Sequence, residues 1–175
     1  SGTVLFCLLE WNNPDTLGEM SAGNKVMAAA FQSTTLRTAG YNTLDQGSLT
    51  EASQFISCLL MMIGGSPAGT AGGMKTVTFG VILISMLSVC RGRDRLEAFN
   101  RTVPLDILQK ALSVALMLLS IIVVSTILLC FTERGSVFEH SFLDLLFECT
   151  SATATVGNSV GITPYLSNLG KIIIM

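Results

Sequence analysis

Two short segments of the chain have the makeup needed to take the water off a small cation. Thr38-Ala39-Gly40-Tyr41 and Thr155-Val156-Gly157-Asn158 each set a threonine two residues before a glycine and a residue with a polar tip after it, and the glycines lie 117 positions apart. Carbonyl oxygens can replace the water around a loosely hydrated cation. A run of them can be aimed one way where glycine accepts backbone angles that other residues avoid, and rings of such carbonyls form potassium filters. Thr38, Ala39, Gly40, Tyr41, Thr155, Val156, Gly157 and Asn158 are therefore the candidate ion-lining residues, with K+ the expected ion and Na+ a second. One glycine per loop leaves fewer adaptable positions and predicts looser discrimination between the two. A single Thr-x-Gly segment would be read as a turn. The pair says more, because each follows a short stretch rich in small hydroxyl residues and precedes a new apolar segment. Leu49-Thr50 follows nine residues after Gly40, and Leu166-Ser167 follows nine after Gly157. The chain thus reads as a repeated unit: helix, short helix entering the membrane and returning, filter loop, helix.

Such loops need a scaffold in lipid. Half the residues are hydrophobic, 13% are charged and the mean hydropathy is +0.61, against about 25% charged in an ordinary soluble domain. The fold class expected is an all-α membrane protein. Residues 111–132 hold no charge over 22 positions, enough for the ~20 residues that span a bilayer core. The apolar run 4–9 is short and lacks the basic flank of a signal peptide. With the apolar residues 172–175, it predicts membrane helices cut through, hence a piece of a larger protein. Arg91, Arg93, Arg95 and Arg101 crowd one connection while nine of the twelve acidic residues occupy others, which puts residues 91–106 on the cytoplasmic side of a multi-pass protein of the cell membrane. The match of Asn100-Arg101-Thr102 to a glycosylation acceptor is then idle.

From that orientation the path can be threaded. A first helix ends near Trp11, at interface depth, and a turn follows at 12–15. Residues 25–34 form a helix too short to cross, allowed only where its end lines a cavity within protein. From Ala52 to Cys90 the one charge is Lys75, and 39 residues of unbroken helix would measure about 58 Å, nearly twice the ~30 Å hydrocarbon core. The break is expected at Gly64, Gly65, Ser66, Pro67, Ala68, Gly69, Thr70, Ala71, Gly72 and Gly73, five glycines and a proline in ten residues, read as a flexible loop near mid-membrane. A seam of small residues for helix packing is the plainer reading. Lys75 is either pore-facing or snorkelling. The long helix returns from Asp106 and Lys110, residues 133–140 form an outer turn, 141–151 repeat the short helix, and Pro164 begins a last one.

The remaining polar residues carry little chemistry. Arg37 is read as a brace on the loop carbonyls. Glu148 and Asp144 read as a solvated face, with attraction of cations outside a pore as the other reading. The five cysteines, with no C-x-x-C spacing, read as small buried hydrophobes. His140 stands alone, and no catalytic constellation surrounds it, so an enzyme is not expected. A phosphate loop at 69–76 is set aside because Met74 separates Gly73 from Lys75 and an apolar helical stretch precedes it.

Arg37-Thr38-Ala39-Gly40-Tyr41-Asn42-Thr43 and the run from Ile63 through the glycine-rich residues to Met74-Lys75-Thr76 resemble signature stretches of the Trk/Ktr/HKT potassium-transporter superfamily, above all its bacterial Ktr and Trk membrane subunits. The resemblance covers essentially the whole chain. It implies a third pore unit over 1–92, a cytoplasmic connection over 93–106 and a truncated fourth pore unit over 107–175, with Gly40 and Gly157 as the third and fourth filter glycines. It further implies a gating loop at the glycine-rich run, a homodimer of complete subunits in the lipid bilayer, a cytoplasmic nucleotide-binding regulatory subunit, and no nucleic-acid partner. From a different class, a substrate-coupled secondary transporter with broken helices at its midplane would also use such interruptions.

Overall fold

The structure is a computed structural model that describes residues 2–18, 20–65, 72–91, 97–98, 101–102, 104–134 and 141–175. Helix α1 (Gly2–Glu10) leads into a tight turn at Pro14–Gly18, closed by the Gly18 amide donating to the Asn13 carbonyl at 2.6 Å. Helix α2 (Ala22–Thr35) then packs back on α1. At 14 residues it is longer than the sequence suggests, and at about 1.5 Å per residue it is still only about 21 Å long. Helix α3 (Glu51–Met62) begins where the Thr50 side chain accepts the Ser53 amide, and α4 (Thr76–Cys90) is a separate helix. Six of the glycine-rich residues, Ser66, Pro67, Ala68, Gly69, Thr70 and Ala71, lie outside the described residues, as do Arg93, Arg95 and His140.

In the connection before the long helix, strands β1 (Glu97–Ala98) and β2 (Arg101–Thr102) pair antiparallel, Glu97 opposite Thr102, a small departure from an all-helical chain. Helix α5 (Leu105–Thr132) has 28 residues and is, among the described residues, the helix long and apolar enough to cross a bilayer. Only Ala111, Ile122, Thr126 and Leu129 on it are buried, so most of its leucines, isoleucines and valines face outward, as lipid permits and water does not. Helix α6 (Phe142–Thr153) opens with a capping box: Asp144 accepts the Ser141 amide and the Ser141 hydroxyl turns inward to the helix start. Asp144 is thus a helix cap. The last helix, α7 (Asn168–Ile174), starts four residues later than Pro164 predicts. Pro164 sits in a single turn at Thr163–Tyr165, and the helix waits for Ser167, whose hydroxyl caps the Gly170 amide at 3.0 Å.

Two buried clusters hold these elements. The larger draws Phe6, Leu17, Ala29, Leu36, Leu44, Cys58 and Met61 from the first half together with Phe147, Ala154 and Val156 from the second. The smaller gathers Leu129, Leu145, Cys149, Ile162 and Leu166 from α5, α6 and the segment before α7. Cys58 and Cys149 behave as small buried hydrophobes, but Cys90 is exposed at the end of α4. Two buried carboxylates tie helix ends across the fold in the same manner. Glu10, at the end of α1, accepts from the Thr50 amide and hydroxyl at 3.0 and 2.7 Å; Glu133, after α5, accepts from the Ser167 amide and hydroxyl at 3.1 and 2.6 Å. Each satisfies an end that would otherwise leave buried polar groups unpaired, at about 1–3 kcal/mol apiece.

Candidate functional site

The first loop is an unwinding of α2. The carbonyl of Thr35 accepts both the Ala39 amide at 3.1 Å and the Gly40 amide at 3.4 Å, which draws the chain into a tight knot just past the helix end. Thr38 and Gly40 both take left-handed backbone angles, φ 67° and 71°, an arrangement unfavourable for threonine by roughly 1–2 kcal/mol. The Thr35 hydroxyl then clasps the next peptide, donating to the Tyr41 carbonyl at 2.6 Å and accepting the Tyr41 amide at 2.9 Å. Farther back on α2, Gln32 is fully buried and exchanges side-chain hydrogen bonds with Gln46 at 2.6 and 3.2 Å, pinning the outgoing segment to the helix.

The second loop repeats these features with one residue more. Thr155 and Gly157 are left-handed at φ 54° and 88°. The Ser151 carbonyl accepts the Val156 amide at 2.9 Å, and the Ser151 hydroxyl donates to the Asn158 carbonyl at 2.5 Å. The hydroxyl clasp therefore spans six residues in the first loop and seven in the second. The pin also returns: Glu148, 4% exposed, accepts from Ser159, Val160 and Thr163. This overturns the reading of Glu148 as part of a solvated face; its carboxylate is consumed by the segment that leaves the loop.

The two loops meet. A Cβ built on Gly40 would stand 2.7 Å from the Val156 carbonyl oxygen and 3.8 Å from the Cα of Gly157, so the Val156 carbonyl is aimed at Gly40. The segments after the glycines also touch, with the Gly47 position against Val160. Of the predicted carbonyls, those of Tyr41 and Asn158 are turned to the Thr35 and Ser151 hydroxyls. Tyr41 itself is 71% exposed, while the Asn158 side chain is buried with neither amide atom paired. Arg37 is exposed, and its guanidinium makes no hydrogen bond to another described residue, in contrast to the brace expected of it.

The C-terminal end of the glycine-rich run, Gly72 and Gly73, lies against the second loop. Gly64 donates to Met74 at 2.9 Å, Met74 to Met62 at 3.0 Å and Thr76 to Gly65 at 3.4 Å, which draws the end of α3 and the start of α4 into a narrow neck. Gly72 packs on Ala154 and Thr155 so closely that a Cβ there would collide with the Thr155 hydroxyl, and Gly73 packs beside Met61, Met62 and Ala154. Lys75 is exposed at the head of α4. At the far end of the fold, Lys25 donates to the Trp11 carbonyl at 2.8 Å with its ammonium 5.0 Å from the indole centre.

Sequence reasoning missed Gln32, Gln46, Thr35 and Ser151 and misread Glu148. Their signal was present: Gln32-x-x-Thr35 and Glu148-x-x-Ser151 share a helical spacing of three, hidden when the halves are aligned on their glycines alone.

The chain is 41% identical to the Ktr system potassium uptake protein B of Bacillus subtilis over 96% of its own length and 37% of that protein's. It is 38% identical to the Vibrio alginolyticus protein of the same name over 99% of the chain and 37% of the relative. To the potassium/sodium uptake protein NtpJ of Enterococcus hirae it is 37% identical, over 99% and 38%. The chain therefore spans little more than a third of the length of these relatives. Its match to the family's own pattern runs through residues 2–175, and the chain belongs to the TrkH family of cation transport proteins.

Proposed function

We propose that the chain forms two adjacent pore units of a membrane subunit that takes up K+, with Na+ as a second ion, through a filter lined by backbone carbonyls. The observation that carries this reading is the meeting of Gly40 and Gly157, with the Val156 carbonyl directed into the space between two loops that share a left-handed Thr-x-Gly backbone. Helices α2 and α6 both run into their loops C-terminus first, so the negative end of each helix dipole lies beside the glycines, favourable for a cation. The carbonyls of residues 38–40 and 155–157 are the proposed ligands. Those of Tyr41 and Asn158 hold the loops to their helices.

On this reading α2 and α6 are re-entrant helices, and α3 and α4 form one interrupted span, since each alone is shorter than the ~30 Å core. The glycine-rich run is the gate, resting against Thr155. A complete pore needs about four such units around its axis, so two more come from the rest of the protein. A homodimer and a nucleotide-binding regulatory subunit on the cytoplasmic side of residues 91–106 complete the proposed assembly. The test is cation flux in proteoliposomes holding the complete protein. Gly40→Ser and Gly157→Ser should each lower K+ uptake relative to Na+, and unchanged ion ratios in both would remove the filter assignment.

A further inference from the structure

Each loop is held from behind by a buried polar side chain one turn before its hydroxyl clasp, but the two holds are chemically unequal. In the first loop the hold is neutral and paired, amide to amide, Gln32 with Gln46. In the second it is a single carboxylate that gathers three donors from the outgoing segment. Glu148 Oε1 accepts the Ser159 hydroxyl at 2.5 Å and the Val160 amide at 3.0 Å, and Oε2 accepts the Thr163 hydroxyl at 3.1 Å. The Ser159 and Thr163 oxygens lie 3.2 Å apart. Since each spends its one proton on Glu148, that contact is two donors converging on one carboxylate. Ser159 further accepts the Gly161 amide at 2.9 Å, so residues 159–163 are folded around Glu148.

This matters because two anchors on α6 take hold of the chain directly after Gly157. The Ser151 hydroxyl holds the Asn158 carbonyl, and Glu148 holds Ser159 and Val160, the next two residues. With the chain fixed immediately after Gly157, the direction of the Val156 and Gly157 carbonyls is set by the helix rather than by the loop's own preferences. Hydrogen bonds to a carboxylate are shorter and stronger than those between neutral groups, so the second loop is the more firmly held of the two. We infer that Glu148 is a positioning residue for ion selection: it touches no ion, and by holding residues 159–163 it sets the carbonyl geometry of the second loop. The inference rests on the filter reading above.

The experiment is K+ and Na+ uptake by the complete protein in proteoliposomes, with thermal midpoint and membrane yield recorded for each variant. Glu148→Ala should lower the K+/Na+ uptake ratio by about tenfold, the scale expected when several buried donors lose one acceptor. Glu148→Gln, which keeps an oxygen for Val160 and a hydroxyl, should recover most of the ratio. Ser159→Ala and Thr163→Val remove single donors and should each lower it by a few-fold; they carry the test if Glu148→Ala does not fold. A ratio equal to the parent in the folded members of this series, whatever their stability, would overturn the inference and leave Glu148 a packing residue. If Gly40→Ser and Gly157→Ser change the ratio while this series does not, the filter stands and the role of Glu148 falls. If the glycine variants also leave it unchanged, both fall.

Discussion

A side chain added at Gly40 and one added at Gly157 meet different obstacles. At Gly40 the new Cβ would press on the Val156 carbonyl at 2.7 Å, so the damage passes directly to the opposite loop. At Gly157 the nearest obstacle is the Gly40 Cα at 3.8 Å, an ordinary contact, and the cost lies in the left-handed backbone at φ 88°. Of the two serine variants, Gly40→Ser should therefore disturb ion preference the more. Asn158 offers a complementary test. Its buried amide has neither atom paired, a state that costs about 1–3 kcal/mol, and an apolar group of similar shape avoids that cost. Asn158→Leu is predicted to stabilise the complete protein by about 1 kcal/mol, seen as a rise in thermal midpoint. A fall would mean that the amide finds a partner elsewhere in the assembled pore.

At the scale of elements, the neck between α3 and α4 ties together the two described ends of the glycine-rich run. Three backbone hydrogen bonds join residues 62–65 to 74–76, and Gly72 and Gly73 are wedged against α3 and the second loop. Deleting 67–71 in the complete protein leaves the neck donors and acceptors in place and is predicted to raise basal cation flux with ion preference largely kept. A variant that reaches the membrane and conducts less than the parent would make the run a packing seam. The same geometry would give the proposed gate a route to the proposed filter, because Gly72 touches Thr155, two residues before Gly157.

Across the whole molecule, the larger buried cluster joins the two halves through Phe147, Ala154 and Val156, so the loops are held together by apolar packing and need no direct hydrogen bond between them. Most of α5 and the outer faces of α1 and α4 remain apolar and exposed, as surfaces facing lipid or further pore units would be. The arginine-rich connection follows α4 and precedes the long α5 in the chain. Neutralising Arg93 and Arg95 together is predicted to leave membrane orientation unchanged and to abolish the flux response to the proposed soluble regulatory subunit. Orientation by cysteine accessibility and flux with and without that subunit are the measurements, and a response equal to the parent would reduce the cluster to a topology signal.

How much was legible in advance follows from which properties are local. The left-handed backbone at Gly40 and Gly157, the long apolar helix and the short helices were readable, because glycine's backbone freedom and an apolar run's length belong to the residues themselves. Helix ends were readable only where the cap was a neighbour. Pro164 misled because Ser167, supported by a carboxylate 34 positions earlier, starts α7 instead. The meeting of Gly40 with Gly157, the burial of Glu148 and the contact of Gly72 with Thr155 were decided by tertiary structure alone. A carboxylate among apolar and hydroxyl residues on a short helix looks the same in sequence whether water or three buried donors surround it, and only the packing of α6 against α3 and α5 removes the water and leaves Glu148 to the segment that follows the glycine.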